Sequence, residues 1–173
     1  IVGLSGGLDS SYMLHLLVTE FQLRPLVFHV DAGWNTELAV NNIKVLVNDL
    51  GLDLMTEVID WEDMKTFQLA WFRAGVPHLD IPQDHAFVTV LYNFCKKYNI
   101  KYIMNGGNLA CEAIQRPLKY IYWGSDMRHI RAVLKGFGGP LRNYKFSSAF
   151  VNKFVIPYIN RIKIIKPLNY VNY

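Results

Sequence analysis

Short apolar runs alternate along this chain with longer stretches of helical periodicity, the pattern of parallel β-α-β construction. The first run ends at Leu4. From about Ser10 to Phe21 the apolar positions Leu14, Leu17, Val18 and Phe21 share one side of a helix. Pro25 blocks its continuation, and Leu26 to Val30 reads as a second buried strand. After the turn at Asp31-Ala32-Gly33, a helix is expected from Thr36 to Leu50, closed by Gly51 at the usual C-cap position.

Leu54 to Ile59 is a third strand. The aromatic-rich stretch from Trp61 to Pro82 contains Gly75 and Pro77, and reads as a short helix followed by a functional loop. Asp84 is expected to cap a helix running to Tyr98, with Ala86, Val90 and Phe94 on its core face. A fourth strand spans Lys101 to Met104 and ends in Asn105-Gly106-Gly107-Asn108. Helices over 126–135 and 147–158 and an apolar strand over 162–165 complete the pattern. No repeat or low-complexity segment divides the 173 residues, so they read as one α/β domain. The chain opens inside an apolar strand with no initiator Met, and its end lacks an evident stop. It therefore reads as a piece truncated at both ends.

Composition narrows the function classes. With 51% hydrophobic residues the chain is globular rather than disordered. A net charge of +4 fits ordinary surface scatter or an anionic substrate. No Lys/Arg run interleaved with aromatics marks a nucleic-acid site. Cys95 and Cys111 form neither a metal spacing nor a disulfide framework, which makes a reducing cytoplasm the expected location. No apolar run reaches the roughly 18 residues needed to span a membrane.

The chemistry concentrates at Ser5-Gly6-Gly7-Leu8-Asp9-Ser10-Ser11, between a strand and a helix. Two glycines let the backbone approach a ligand closely. The helix start presents unpaired N–H groups and a positive dipole end, and the three serines add hydroxyl donors. Together these make an anion site sized for phosphate. Asp9 fits such a site only if it caps the helix or holds a magnesium ion that bridges to phosphate. The loop lacks the Gly-Lys-[Ser/Thr] ending of a Walker A motif and the spacing of a dinucleotide fingerprint.

The heptapeptide resembles the PP-loop of the ATP pyrophosphatases, with Ser5, Gly6, Gly7, Asp9 and Ser10 matching residue for residue. That resemblance implies a doubly wound, adenine nucleotide alpha hydrolase-like sheet of order 3-2-1-4-5. It also implies ATP and magnesium as cofactors, α–β cleavage, and an adenylated intermediate with free pyrophosphate. Asp9 and Ser10 are then the catalytic candidates, with Asp9 the magnesium ligand. The adenine and ribose side falls to His29, Val30, Asp31, Gly106, Gly107 and Asn108. His29 taken alone reads as a satisfied core residue.

Longer stretches are similar to the N-acetyl sugar amidotransferases of bacterial lipopolysaccharide O-antigen and nonulosonic acid biosynthesis. They are Phe28-His29-Val30-Asp31-Ala32-Gly33-Trp34-Asn35, Asp84-His85-Ala86, Asn105-Gly106-Gly107-Asn108 and Ile164-Ile165-Lys166-Pro167-Leu168-Asn169-Tyr170. This implies a nucleotide-linked acetamido sugar as substrate and a separate glutaminase subunit supplying ammonia. Neither cysteine sits in a glutaminase elbow. Glu112, Arg128, Arg131 and Lys135 are candidate substrate contacts, with solvated surface charge as the alternative. His78 and His85 flank Asp80 and Asp84 without fixed metal-ligand spacing. Two rival readings remain: a PP-loop tRNA thiolation enzyme, with Cys111 as its sulfur carrier, and a non-catalytic nucleotide-binding module.

Overall fold

The strand β1 (Val2–Gly3) has only two residues, yet it lies at the centre of the sheet. Around it the computed structural model, which describes residues 1–109 and 123–171, arranges β2 (Val27–Asp31), β3 (Leu54–Val58), β4 (Tyr102–Met104) and β5 (Lys163–Ile165). The order is β3-β2-β1-β4-β5 and every pairing is parallel. This is the order expected above. Its direction of winding reverses between β1 and β4, the place where open α/β sheets form their ligand crevice.

Alternation along β2 separates two buried layers. Val27 joins Val2, Leu4, Met13, Leu14 and Leu17 beneath α1 (Leu8–Thr19) and α2 (Glu37–Asp49). Phe28 and Val30 pack on the opposite face against Val90 of α4 (Ile81–Lys97). Helix α1 ends two residues earlier than its apolar pattern suggests. Phe21 therefore lies beyond the helix and is exposed, although it was expected on the core side. β5 is an edge strand whose residues are all exposed, and β3, at the other edge, is mostly exposed.

The stretch after Trp61 differs most from expectation. It forms a long helix, α3 (Trp61–Ala74), capped by the Asp60 carboxylate on the Asp63 amide and stopped by Gly75 at φ +62°. Met64, Phe67, Gln68 and Trp71 make its buried stripe at helical spacing. The following loop is short and pinned to α3: Gln68 donates to the Leu79 carbonyl and the Trp71 indole to the His78 carbonyl, both at 2.9 Å. Asp80, not Asp84, then holds the N-cap position of α4. Pro82 sits in the first turn, where a missing N–H costs nothing.

Helix α5 (Met127–Phe137), capped by Asp126, packs beside α3 around Ile130 and Val133. Asp63 ties the next segment to the same layer by accepting the amides of Arg142, Asn143 and Tyr144. The expected helix over 147–158 is found as a π-helix, Val151–Ile159, that runs through Pro157. After β5 a 3₁₀ turn, Pro167–Tyr170, closes back on the α1 layer through Leu168.

Candidate functional site

The chain leaves β1 through Leu4 into the serine–glycine loop, and the loop is knotted by its own hydroxyls. Ser5 Oγ lies 3.0 Å from Ser10 Oγ, Ser10 Oγ donates to the Gly7 carbonyl at 3.2 Å, and the Gly7 amide reaches Ser5 Oγ at 3.4 Å. Gly6 takes φ +79°, a left-handed conformation that suits glycine. A Cβ there would sit 2.5 Å from the Ala39 carbonyl oxygen, so α2 backs directly onto the loop. Asn42 of α2 adds a hydrogen bond from its side chain to the Gly6 carbonyl at 3.1 Å. Gly7 is the N-cap of α1 and supplies no side-chain cap. Asp9 is thus in the first helical turn rather than at the cap.

The second glycine loop lies across this helix start. A Cβ on Gly106 would fall 3.0 Å from the Ser10 amide nitrogen and 3.1 Å from the Asp9 carbonyl carbon. The loop is shaped by Asn105, whose carboxamide oxygen accepts the Gly107 amide at 2.7 Å. Asn169 steadies its far end by accepting the Leu109 amide at 2.8 Å.

Between the two loops opens a cleft of about 600 Å³. Ser5, Asp9 and Ser10 form one wall and Asn105, Gly106 and Gly107 another. Phe28, His29 and Val30 contribute the end of β2, while Gln83, Asp84, Phe87 and Leu91 face them from α4. A second cavity of about 610 Å³ lies beyond β3, between Trp61, Ala86 and Tyr144, but neither glycine loop reaches it. We assign the candidate site to the first cleft, because it joins a helix N-terminus to both loops.

His29 is buried and fully engaged. Its Nδ1 lies 2.8 Å from the Leu4 carbonyl oxygen, which can only accept, so Nδ1 carries the proton and Nε2 accepts from the Asn35 carboxamide at 3.0 Å. The imidazole therefore straps the end of β1 to β2 and holds Asn35 at the cleft.

The other sequence-derived residues divide clearly. Leu8 is exposed and brings only backbone, and Ser11 and Asn108 lie outside the cleft lining. Asp31 accepts the Gly33 amide at 2.8 Å and faces a separate groove beside α2. Arg128, Arg131 and Lys135 are exposed on α5 and do not line the cleft; Arg131 and Lys135 border a shallow groove near Pro140. Glu112 and Cys111 lie outside the described residues. Among the described residues no group of three or more His, Cys, Asp or Glu is placed to hold a metal, so the His78, Asp80, Asp84 and His85 grouping does not assemble one. Asn35, Asn42, Gln83, Asp84 and Asn169 gain positions at or behind the site that periodicity alone does not assign.

Burial explains the shifted groups nearby. His85, at the start of α4, accepts the Ser147 amide on Nε2 at 3.0 Å, and desolvation pushes its pKa down to about 4. Desolvation also raises the Tyr144 phenol, whose hydroxyl donates to the Pro82 carbonyl. Cys95 is buried in α4, and its thiol is raised for the same reason.

No protein-family model matches the chain, and no curated protein matches it. Among solved structures, a predicted subunit of a tRNA methyltransferase from Methanocaldococcus jannaschii superposes on 99% of this chain and 70% of its own, with TM-score 0.52 and 16% identity. A likeness at that identity is one of fold. It agrees with the strand order β3-β2-β1-β4-β5 in showing a doubly wound, parallel α/β fold.

Proposed function

We propose that the chain is the ATP-binding part of an ATP pyrophosphatase that adenylates the acetamido group of a nucleotide-linked sugar and replaces its oxygen with nitrogen. The observation carrying the first half is the Gly106 loop lying over the N-terminus of α1. It brings the glycine backbone so near the start of α1 that a Cβ would meet the Ser10 amide at 3.0 Å, beside the hydroxyls of Ser5 and Ser10 that border the cleft. The second half rests on the resemblance of the four longer stretches to N-acetyl sugar amidotransferases.

In this reading the amides at the start of α1 and the Ser5 and Ser10 hydroxyls bind the β- and γ-phosphates, and Asp9 holds magnesium. When bound, the ion neutralises charge that develops on the departing pyrophosphate. Phe28 and Val30 give the adenine an apolar wall at the end of β2. The residues mainly position the reactants and stabilise charge; no covalent protein intermediate is required. The acetamido oxygen attacks the α-phosphorus, and the bond to the β-phosphate breaks with its electron pair leaving on pyrophosphate. Ammonia from a separate glutaminase then adds to the activated carbon, and AMP departs with the former carbonyl oxygen. An acetamidino group remains, for use in lipopolysaccharide O-antigen assembly in the cytoplasm.

The test is incubation with ATP, an ammonium salt and UDP- or CMP-linked diacetamido sugars, with a glutaminase partner supplied. AMP, pyrophosphate and a product lighter by the difference between O and NH support the reading. ADP and phosphate would overturn it. Thiolation of tRNA is the second reading, kept because the solved structure is named as a predicted tRNA methyltransferase subunit and tRNA is therefore a substrate to test. That reading requires Cys111→Ala to abolish turnover, whereas an amidotransferase retains it.

A further inference from the structure

Beside the nucleotide cleft is a smaller cavity of about 260 Å³, and the two share Asp84 and Val88 as lining residues. Those residues are one turn apart on α4 and therefore form a single ridge. Gln83 and Phe87 fall on its cleft side, His85 and Ile81 on the other. The far wall is Trp123-Gly124-Ser125, and it stands very close. A Cβ on Gly124 would meet Ile81 Cδ1 at 2.5 Å.

We propose that this cavity is the acceptor subsite and that it takes a pyranose ring; this rests on the adenylation reading above. Its volume is below the roughly 300–1,000 Å³ of typical small-molecule pockets, so it has room for a ring but not for a second nucleotide. Trp123 is half exposed and supplies an indole surface, on which the C–H face of a pyranose can lie. The Lys153 ammonium stands 3.4 Å from the indole ring centroid and holds that ring.

The polar groups suit a neutral, hydroxyl-bearing ligand. His85 accepts a backbone amide on Nε2, which leaves its ring N–H on Nδ1. The same Ser147 donates its hydroxyl to Asn152 Oδ1, so Asn152 offers the cavity its Nδ2 donors. Ser125 and Asp84 line the same cavity with further polar groups. Polar groups from His85, Asn152, Asp84 and Ser125 together with the Trp123 indole suit the polar edge and apolar face of a sugar. Across the Asp84–Val88 ridge lies the cleft assigned to ATP.

Saturation-transfer NMR with UDP-N-acetylglucosamine, alongside UDP alone, tests this. Sugar-ring protons should receive saturation from the protein, and competition titration should show binding at least tenfold weaker in Trp123→Ala and in Asn152→Asp. Trp123→Phe should retain most of it. ATP binding, followed by calorimetry in the same variants, should not change. If ATP binds normally but the ring protons receive nothing, or if all variants bind the sugar alike, the subsite is wrong while the nucleotide reading stands. Loss of ATP binding in the unsubstituted chain would instead sink the adenylation reading.

Discussion

Gly106 lies against Ser10 so closely that a methyl group on the first would stand 3.0 Å from the amide nitrogen of the second. Ser10 lies in the first turn of α1 and Gly106 in the loop after β4, on either side of the reversal in strand order. Gly106 is held through Asn105 and Asn169, and Ser10 through Ser5 and Gly7.

Gly106→Ala should therefore damage nucleotide use more than folding. The added methyl meets backbone rather than a flexible side chain, and overpacking of this kind costs about 1–3 kcal/mol. We expect a modest fall in Tm and at least a tenfold rise in the ATP concentration needed for half-maximal pyrophosphate release. A variant with unchanged ATP dependence would show that the contact does not shape the site.

Gly6→Ala should be worse for stability than Gly51→Ala. Both positions have positive φ, which costs a non-glycine residue roughly 1–2 kcal/mol. Only Gly6 adds a clash, with Ala39 O at 2.5 Å, whereas the space around Gly51 is open. Urea denaturation of the pair should place Gly6→Ala lower by about 1–3 kcal/mol.

His29→Leu keeps bulk but leaves the Leu4 carbonyl without its buried donor. The expected destabilisation is about 1–3 kcal/mol, larger than for Asn35→Ala at the half-open rim. Equal losses from the two substitutions would contradict the strap between β1 and β2.

Stability should depend on pH through His85. Its folded pKa is about 4 against 6.5 for the free side chain. Between those values the unfolded chain binds the proton and the folded one does not, so stability falls as pH drops through the window and is fully present above it. His85→Gln should flatten that segment of a Tm-against-pH curve. An unchanged slope would assign the acid sensitivity to other groups.

Asp63 holds three consecutive amides of the 142–144 segment, and Asn offers only one acceptor oxygen for them. Asp63→Asn should cost about 1.5–3 kcal/mol, the range for hydrogen bonds to charged groups. Amide exchange should accelerate at Arg142 to Tyr144 before it does in the central sheet.

Elements whose signal is local were legible in the chain itself. Alternating apolar runs with Pro25 and Gly51 as punctuation marked β2 and α2, and the serine–glycine loop stood out as a candidate anion site because glycine freedom and a helix start are sequence-local properties. From that loop the sheet order followed by resemblance. What depended on partners distant in the chain was not legible. α3 was read as short because its aromatics look like loop residues until Tyr144 and Ile130 give them a core to enter. Asp84 is the cap that the local pattern suggests, yet α4 begins three residues earlier with Pro82 in its first turn, where it is compatible with the helix. The Arg128, Arg131 and Lys135 face is equally basic on paper whether or not it borders the cleft. Only the packing of α5 on α3 carried it elsewhere. The same tertiary closure set Gly106 over Ser10, turning two separate glycine motifs into the walls of one cleft.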